Sequence, residues 1–550
     1  MRPNGRGALE SLYFTYPDFT SKRAPELDVA GLRHPVAIVG AGPVGMTAAL
    51  ALARYGVRSV LLDRKNTFND GSRAICIARA SFHILEQIGT VGPFLAKSLG
   101  WRRGRSYYRG DEIYRFEMPH SDNDKYLPMY NLQQQYIEQF LWDAVEKCEL
   151  IDARWRAEVT GVRNDNAGAT LDVTSPEGTY PLHCGYILAA DGARSPLRNM
   201  LGLRLHGDNY EGRYVIADVR MAHDFPTERR AFFEPAANPG GTVLIHRQPD
   251  DIWRIDYQLR AGESEEDALK ESSIRARVGA ILEEIGHKGD WDLEWWSVYS
   301  ANTLCLDDYR RGRVFFVGDS AHIVPIFGVR GLNNGMADAY NIGWKLGYVL
   351  AGNADPKLLD SYSPERRGAT LDVFANATKS TRFMTPPTRG WALVREAALS
   401  LAGKHEFARK FADPRQMQPY TYGGSPITCF ARNDAAFARG PVSGALAANA
   451  RLSDGSYLLD HAGAGFSGVF FVDETLRAES DALFARLRAL DLRFTSVALD
   501  ASSEVAPVYD AQPGTFYLLR PDLHVAGRWR RFDPDEIAGA LRTCLGKDAA

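Results

Sequence analysis

The chain has 550 residues, 45% hydrophobic and 24% charged, which is enough for three or four globular domains of roughly 150 residues each. Its 65 Lys and Arg against 68 Asp and Glu leave a net charge of −3, which excludes a chain-wide basic field for binding nucleic acid. No apolar stretch reaches the roughly 20 residues that cross a bilayer, so the composition also excludes a membrane span.

The six cysteines lie far apart in the sequence, without a C-x-x-C pair. This spacing argues against a disulfide framework or a cysteine-based zinc site and indicates a cytoplasmic protein. The 12 histidines form no H-x-E or H-E-x-x-H motif, so no metal site is predicted. Residues 1–34 lack the apolar segment of a signal peptide and are predicted to be an arm that packs on the body or on a partner subunit.

The first predicted elements form a strand–turn–helix–strand unit. The apolar run Val36-Ala-Ile-Val39 precedes the turn Gly40-Ala-Gly-Pro-Val-Gly45, and an Ala- and Leu-rich helix follows over residues 46–55. A second apolar run over residues 58–62 closes on Asp63. The size and order of these elements predict a βαβ unit of a parallel sheet.

The glycines of this turn have the spacing of a dinucleotide-binding loop. Gly40 allows the tight turn, Gly42 lets backbone N–H groups approach a pyrophosphate, and Gly45 lets helix and strand pack closely. Pro43 and Val44 lie in this turn and are predicted to contact the cofactor, and the N-terminus of the helix that follows adds a partial positive charge.

Asp63 ends the second strand, where a carboxylate accepts hydrogen bonds from an adenosine ribose without a 2′-phosphate. The alternative is a chance cluster of glycines in a turn. With strand, helix and acid in place, the unit predicts an ADP-containing cofactor, but it does not separate NAD from FAD.

A second glycine-rich segment far along the chain separates these two cofactors. Val314-Phe-Phe-Val317 predicts a buried strand that ends in Gly318-Asp319, and a long helix follows from about Asn333. FAD is longer than NAD, and its ribityl chain needs an acceptor such as Asp319. The electron-rich edge of reduced flavin needs N–H groups, which Gly331, Leu332 and Asn333 offer at the helix start. Asp319 is also interpretable as a helix cap, or as both.

Together these segments resemble the single-component (class A) FAD-dependent aromatic hydroxylases, and within them the phenol hydroxylase and 3-hydroxyphenylpropionate hydroxylase branch. The resemblance spans about residues 35 to 530. The matching segments are Gly40-Ala-Gly-Pro-Val-Gly45 with Asp63-Arg64, Gly71-Ser-Arg-Ala74, Gln134-x-x-Ile-Glu138, Ala190-Asp-Gly-Ala-Arg-Ser-Pro-Leu-Arg198, Gly318-Asp-Ser-Ala-His322, Gly328-x-x-Gly-Leu-Asn333, Asp338-Ala-x-Asn341, Leu346, Asp360-Ser-Tyr-x-x-Glu-Arg-Arg367 and Leu519-Arg-Pro-Asp522.

The resemblance implies an α/β fold with a Rossmann-type FAD-binding domain of the glutathione-reductase and para-hydroxybenzoate hydroxylase kind. The predicted segments are an arm (1–34), a discontinuous FAD-binding domain (35–204 and 301–370), an inserted, mostly antiparallel substrate sheet (205–300), a helical region with a linker (371–454), and a C-terminal domain that resembles thioredoxin without its C-x-x-C (455–550).

The resemblance also implies the reaction and its partners. NAD(P)H, as NADH or NADPH, reduces FAD, O2 adds at flavin C4a, and the resulting hydroperoxide hydroxylates a small phenolic substrate. A homodimer is expected. By match, Arg64, Arg73 and Gln134 contact FAD, and Asp191-Gly192 serves both FAD and NAD(P)H.

The predicted substrate contacts lie on two strands of the inserted sheet. Because side chains alternate along a strand, Arg254 and Asp256 share one face, as do His246 and Gln248 on the strand before. The alternative is an ordinary solvated sheet face. We predict that His246, Gln248 and Asp256 contact substrate and that Asp256 or His246 takes the phenol proton. Arg254 is predicted to contact the flavin or the nicotinamide. Pro325, in the loop before Gly328, is also predicted to contact substrate.

Other functions on this scaffold stay open at this point. A flavin- or nucleotide-binding protein without turnover and a Baeyer–Villiger-type oxygenase both fit the same cofactor motifs. A flavin halogenase fits less well, because Trp253-Arg-Ile-Asp256 is the nearest match to its W-x-W-x-I-P signature and lacks the second Trp and the Pro.

Overall fold

The computed structural model describes residues 1–165, 167–260, 262–325, 328–409 and 418–547. Parts of the predicted segments lie outside this description, namely residues 166 and 261, residues 326–327 of the loop before Gly328, residues 410–417 and the last three residues.

The helices and strands of the described residues follow in chain order. The helices are α1 (Pro43–Ala53), α2 (Arg79–Gln87), α3 (Val91–Lys97), α4 (Gln134–Glu146), α5 (Pro196–Met200), α6 (Glu265–Ala268), α7 (Glu271–Glu284), α8 (Gly331–Leu350), α9 (Tyr362–Met384), α10 (Arg389–Ala402), α11 (Glu406–Arg409), α12 (Arg477–Leu490) and α13 (Pro534–Cys544). The strands are β1 (Arg33–Val39), β2 (Ser59–Asp63), β3 (Cys76–Ala78), β4 (Leu99–Trp101), β5 (Arg103–Tyr108), β6 (Asp111–Glu117), β7 (Met129–Asn131), β8 (Ile151–Trp155), β9 (Glu158–Asn164), β10 (Ala169–Ser175), β11 (Gly178–Ala189), β12 (His206–Arg220), β13 (Arg229–Phe233), β14 (Thr242–Arg247), β15 (Ile252–Gln258), β16 (Asp292–Cys305), β17 (Arg310–Arg311), β18 (Val314–Phe316), β19 (His322–Ile323), β20 (Ser467–Val472), β21 (Thr495–Asp500), β22 (Phe516–Leu519) and β23 (Val525–Trp529).

A parallel sheet forms the centre of the first domain. Its strands lie in the order β17-β18-β11-β1-β2-β8, and the pairs from β18 to β8 are parallel. Helices α1 and α8 pack together beside this sheet, and its apolar strands belong to the largest hydrophobic core. The predicted βαβ unit is therefore present, and α1 begins at Pro43 rather than at residue 46 because proline suits the first helical position.

A second sheet, mostly antiparallel, lies beside the first and has the order β19-β16-β12-β15-β14-β13-β5-β6. Its core face carries Trp253, Ile255 and Tyr257 of β15, which pack with α7. Strands β5 and β6 belong to it although they lie within the predicted segment 35–204, because β5 pairs in parallel with β13. The inserted sheet is therefore larger than the sequence segment 205–300.

The C-terminal part forms a smaller sheet of order β21-β20-β22-β23, in which β20 and β21 are parallel and the other neighbours antiparallel. Helix α12 connects the two parallel strands and α13 follows β23. These elements match the predicted βαβ arrangement of the tail, with β23 added. The likeness of this domain to thioredoxin stays a prediction.

The amino-terminal arm packs on the body of the same chain. Arg2 forms an ion pair with the buried Glu294 at 2.5 Å, and the ring of Phe19 stacks on Trp155 with centroids 4.2 Å apart. None of the helices in the described ranges combines the length and the apolar character that a membrane crossing requires.

Candidate cofactor and substrate site

A cavity of about 1020 Å³ lies between the carboxyl ends of the parallel strands and one face of the second sheet. Val39, Leu62 and Val317 line it at the ends of strands β1, β2 and β18. Cofactors of open parallel sheets bind in such a crevice.

Most of the predicted site residues meet at this cavity. Those that line it are Gly40, Gly42, Pro43, Val44, Asp63, Arg64, Arg73, Gln134, Asp191, Gly192, His246, Arg254, Asp256, Asp319, Pro325, Gly331, Leu332 and Asn333. Gly45, Gly318 and Gln248 are not among its lining residues.

The glycine turn after β1 allows close backbone packing at the cavity wall. Gly40 has φ +107°, and a Cβ on it would overlap the carbonyl oxygen of Ala190. A Cβ on Gly45 would overlap the carbonyl oxygen of Gly40, so Gly45 acts by packing and not by facing the cavity. A Cβ on Gly42 would meet no other atom within 4 Å, so its missing side chain leaves open space.

Asp63 lies beside this turn and orients it. Its Oδ2 accepts a hydrogen bond from Ala41 N at 2.8 Å and its Oδ1 accepts one from Lys65 N at 2.9 Å. Each carboxylate oxygen has a second lone pair, so Asp63 retains acceptor capacity toward a ribose diol. The next residue, Arg64, lies exposed on the rim.

The loop that carries Arg73 is held from two sides. Gln134 Oε1 accepts from Arg73 N at 3.2 Å and from Ala74 N at 3.1 Å. Arg254 donates through Nη1 to Arg73 O at 3.0 Å and also to Ser72 O. Gln134 and Arg254 therefore position the loop, and the side chain of Arg73 is exposed to the cavity.

Asp319 follows β18 deep in the protein, with its side chain exposed to the cavity. Burial raises the pKa of its carboxyl above the ordinary value, against the attraction of His322 and Arg73. The start of helix α8 lines the same region. The side chain of Asn333 is engaged with the protein, since its Oδ1 accepts from Ala78 N at 2.8 Å. This helix start therefore offers backbone N–H groups and the positive end of its dipole to the cavity.

Asp191 and Gly192 lie between the two glycine-rich segments. Asp191 Oδ2 accepts from Leu197 N at 3.0 Å, and burial raises the pKa of this carboxyl. The buried Arg198 donates to Ser320 O at 3.0 Å and to Ala193 O at 2.7 Å. Arg198 thereby ties the Asp191-Gly192 loop to the turn that carries Asp319.

The second sheet contributes a polar wall on the opposite side. His246 pairs with Arg254 across β14 and β15, and Asp256 lies two residues further along β15 on the same face. His246 Nδ1 and Asp256 Oδ1 are buried and have no hydrogen-bond partner among the described residues. Burial lowers the pKa of His246 to about 3 and raises the pKa of Asp256 to about 7.

Arg254 on this wall is fully engaged. Its Nε and Nη2 each lie 2.8 Å from an oxygen of the buried Asp218 carboxylate on β12. Its other hydrogen bonds go to the backbone of the loop that carries Arg73. Arg254 therefore holds other residues in place.

Gln248 lies outside the cavity, unlike the other predicted contacts of the second sheet. Strand β14 ends at Arg247, and the chain turns at Asp250 and Asp251, both of which have positive φ. Gln248 is buried and does not line the cavity, although it has the same alternation as His246, and its side-chain amide has no hydrogen-bond partner among the described residues. The alternation of side chains along β14 indicated the face on which Gln248 would lie, but it did not indicate that the strand ends at Arg247.

Arg229 and Trp295 are among the wall residues that the sequence analysis missed. Arg229, buried at the start of β13, lines the cavity, and its charge acts on both His246 and Asp256. Trp295 lines it from β16 and packs so closely on Gly71 that no Cβ fits there. In the sequence, Gly71 could have indicated that a bulky group such as the Trp295 ring packs closely there. Arg229 could not have been found in this way, because an arginine at the start of a strand does not indicate a cavity.

The residues at this cavity fit FAD. One end carries a glycine turn, a helix N-terminus and an acid for the ADP part, and the other carries Asp319 and a second helix N-terminus for the ribityl chain and ring. The two ends follow the parallel strands β1 and β18, which flank β11 in the same sheet, so one extended cofactor can reach both.

Comparison with known proteins agrees with this site. Residues 33–377, more than half of the chain, match the family described as FAD binding domain. A 3-(3-hydroxy-phenyl)propionate/3-hydroxycinnamic acid hydroxylase of Mycolicibacterium smegmatis is 25% identical over 518 residues, 90% of each protein. A 12-dehydrotetracycline 5-monooxygenase/anhydrotetracycline 6-monooxygenase of Streptomyces rimosus is 30% identical over 397 residues, 69% of this chain and 76% of the relative.

Solved structures show the same fold. The flavin-dependent monooxygenase PieE in complex with FAD and substrate superposes with a TM-score of 0.75 at 23% identity, covering 94% of this chain and all of that one. Aklavinone-11 hydroxylase with FAD and aklavinone also has a TM-score of 0.75, at 21% identity over 93% of this chain and 99% of that one. The chain belongs to the FAD binding domain family and is a flavoprotein monooxygenase of the aromatic hydroxylase type.

Proposed function

We propose that the protein hydroxylates a phenolic ring, with O2 and NADH or NADPH as cosubstrates. One oxygen atom enters the ring, the other leaves as water, and the nicotinamide supplies the two electrons. When bound, FAD supplies the redox chemistry that activates oxygen. Because all six cysteines are free thiols, we also propose that the enzyme works in the cytoplasm.

One observation carries the substrate side of this proposal. Two buried atoms without a partner among the described residues, His246 Nδ1 and Asp256 Oδ1, lie on adjacent strands of the cavity wall. Leaving a buried polar atom unpaired costs about 1–3 kcal/mol, so such atoms are typical of a site that a polar ligand completes. A phenol hydroxyl offers one donor and two acceptor positions, which suits this pair.

Asp256 is the proposed base. A ring becomes more reactive toward a mild electrophile when its hydroxyl is deprotonated, and a base acts best when its pKa lies near the working pH. With a pKa of about 7, Asp256 takes up the phenol proton near neutrality. His246, with a pKa of about 3, stays neutral and is proposed to orient the hydroxyl by a hydrogen bond.

The remaining wall residues exclude water and hold the cofactor. Asp63, Arg73, Asp191 and Asp319 are proposed cofactor contacts, while Gln134 and Arg254 hold the loop of Arg73. Ile216 and Leu244 beside Asp256 make the substrate end partly apolar, which lowers the local dielectric and limits hydrolysis of reactive species.

The test is a panel of phenolic acids and multi-ring phenols, scored for stimulated NAD(P)H oxidation and for hydroxylated product. We expect Asp256→Ala and His246→Ala to retain FAD and lose product formation with the best substrate. Ile255→Val, on the opposite face of β15 among the residues that pack with α7, is the matched control and retains activity. Wild-type product yield in both wall variants would contradict the proposed roles.

A further inference from the structure

Several motif segments that the cofactor site does not use come together in one buried network. Asp338 on α8, Arg366 on α9, Tyr422 in the segment after residue 417, and Arg520 and Asp522 after β22 are all buried. The network runs from the C-terminal domain to the turn that carries Asp319.

At the cavity end, Asp338 holds the peptide before Asp319. Its Oδ2 accepts from Gly318 N at 3.0 Å and lies 2.7 Å from His322 Nε2. Its Oδ1 accepts from Arg366 Nε at 2.6 Å. Burial alone raises the pKa of Asp338, but Arg366 and His322 outweigh it and bring the pKa below its ordinary value. The carboxylate is therefore charged and engaged on both oxygens.

In the middle of the network, Arg366 connects Asp338 to Tyr422. Arg366 donates through Nη1 to Tyr422 OH at 2.7 Å and through Nη2 to Asn334 O at 3.1 Å. Water cannot replace these bonds, because Arg366 and Tyr422 each expose only 3% of their surface. The hydroxyl of Tyr422 therefore helps to fix the Arg366 guanidinium, which in turn holds Asp338.

At the far end, the C-terminal domain fixes the ring of Tyr422. The ring of His524 lies against it with centroids 4.4 Å apart, and the Arg520 guanidinium lies 4.9 Å from its centroid. Arg520 in turn forms a bidentate pair with Glu365, at 2.6 and 2.9 Å, one residue before Arg366. The domain thus contacts Arg366 through Tyr422 and its neighbour Glu365 through Arg520.

We propose that the C-terminal domain positions the Asp319 turn of the cofactor site through Tyr422, Arg366 and Asp338. These three are positioning residues, since they act through Gly318 and Asp319 and do not line the cavity. The inference rests on the proposed role of Asp319 as a cofactor contact. It gives the C-terminal domain, which has no C-x-x-C, a function within its own chain.

The test removes one hydroxyl and measures cofactor binding to the full-length holoenzyme. Tyr422→Phe keeps the stacked ring and loses the bond to Arg366. We expect FAD to dissociate about threefold to tenfold more readily, with a shifted visible flavin spectrum, since hydrogen bonds to charged groups are the stronger ones. The matched control is Tyr517→Phe, which loses a buried hydroxyl bonded to Tyr509 O in the same domain. We expect this control to keep wild-type FAD affinity.

A third variant separates this inference from the function on which it rests. Asp319→Asn should weaken FAD binding by itself, and adding Tyr422→Phe to it should have less effect than in the wild type, because both act on one contact. If Asp319→Asn leaves FAD affinity unchanged, the role of Asp319 is wrong, and the inference falls with it. A different result is that Asp319→Asn weakens FAD binding while Tyr422→Phe keeps the FAD affinity of the wild type or of the Tyr517→Phe control. That result overturns only the positioning role of Tyr422.

Discussion

Arg254 and Asp218 form a fully buried ion pair between strands β15 and β12, with Arg254 Nε 2.8 Å from Asp218 Oδ1. The same guanidinium donates to the backbone of the loop that carries Arg73. The pair thus connects the second sheet to the cofactor side of the cavity, and breaking it has separable consequences for stability and for binding.

Arg254→Met leaves the Asp218 carboxylate buried without its partner. We expect a loss of about 3–5 kcal/mol in the free energy of unfolding, because an uncompensated buried charge is costly. Denaturant unfolding measures it. The double variant Arg254→Met with Asp218→Leu removes both charges and should regain most of the stability. FAD affinity should stay low in both variants, since the loop of Arg73 has lost its anchor. Recovery of FAD affinity in the double variant would contradict a role for Arg254 in holding the loop.

Asp256 predicts the pH dependence of catalysis. The pKa of its carboxyl is about 7, so the basic form appears as the pH rises through neutrality. We expect kcat/KM for a phenolic substrate to rise through about pH 7 and level off above it. Asp256→Asn should lower kcat/KM by about 10²–10⁴-fold and abolish that rise, as expected on removal of a general base. A wild-type pH profile in the Asn variant would assign the base elsewhere.

The same group predicts a pH-dependent stability difference. The pKa of Asp256 is higher in the folded protein than in the unfolded chain, so the folded state binds the proton more tightly, and stability is lost as the pH rises from about 4 to about 7. Asp256→Asn cannot ionise. We therefore expect its Tm to exceed that of the wild type more at pH 8 than at pH 5. An equal difference at both values would contradict the raised pKa.

Gly42 tests the cofactor turn without disturbing the fold. A Cβ at Gly42 meets no other atom within 4 Å and its φ is −75°, so Gly42→Ala should fold with an unchanged Tm. FAD affinity should fall by about tenfold or more, because the backbone must approach the pyrophosphate closely. Gly92→Ala is the control: on exposed helix α3 with equal space, it should gain about 0.5–1 kcal/mol of stability and bind FAD normally.

Glu365 predicts acid sensitivity. It is buried between Lys345, at 2.7 Å, and Arg520, and although burial alone raises its pKa, Arg520 and Lys345 bring that pKa down to about 2. A depressed pKa stabilises the fold above about pH 4.5, and this contribution is lost as the pH falls toward 2. Glu365→Gln should lose about 3–5 kcal/mol at neutral pH and show a flatter acid limb in thermal melts. Glu396→Gln, on an exposed pair with Arg109, should match the wild type.

Much of this site could be predicted from local patterns. The turn from Gly40 to Gly45, the acid that ends β2, and the face shared by Arg254 and Asp256 all follow from turn chemistry and strand alternation, and most of these residues line the cavity. The strand predicted over residues 253–259 is present as β15, and the helix predicted from about Asn333 begins two residues earlier, as α8.

What local patterns missed are the partners of the charged groups. Nothing in the spacing of Gln134 or Arg254 shows that both hold the loop of Arg73, and nothing near Gln248 shows that its strand ends at Arg247. These outcomes depend on which strands pair across long stretches of chain, and that choice is made by the packing of whole elements.

The sequence alone thus predicts the cofactor, the parallel sheet and the polar face of the second sheet. The patterns that predict them are apolar runs, glycine spacing and acids at strand ends, and each depends on neighbours within a few residues. The unpaired atoms of His246 and Asp256, the pKa of about 7, and the network from Tyr422 to Gly318 arise only when distant segments exclude water from one another. Desolvation and buried hydrogen bonding are properties of the assembled core, and no local sequence window contains them.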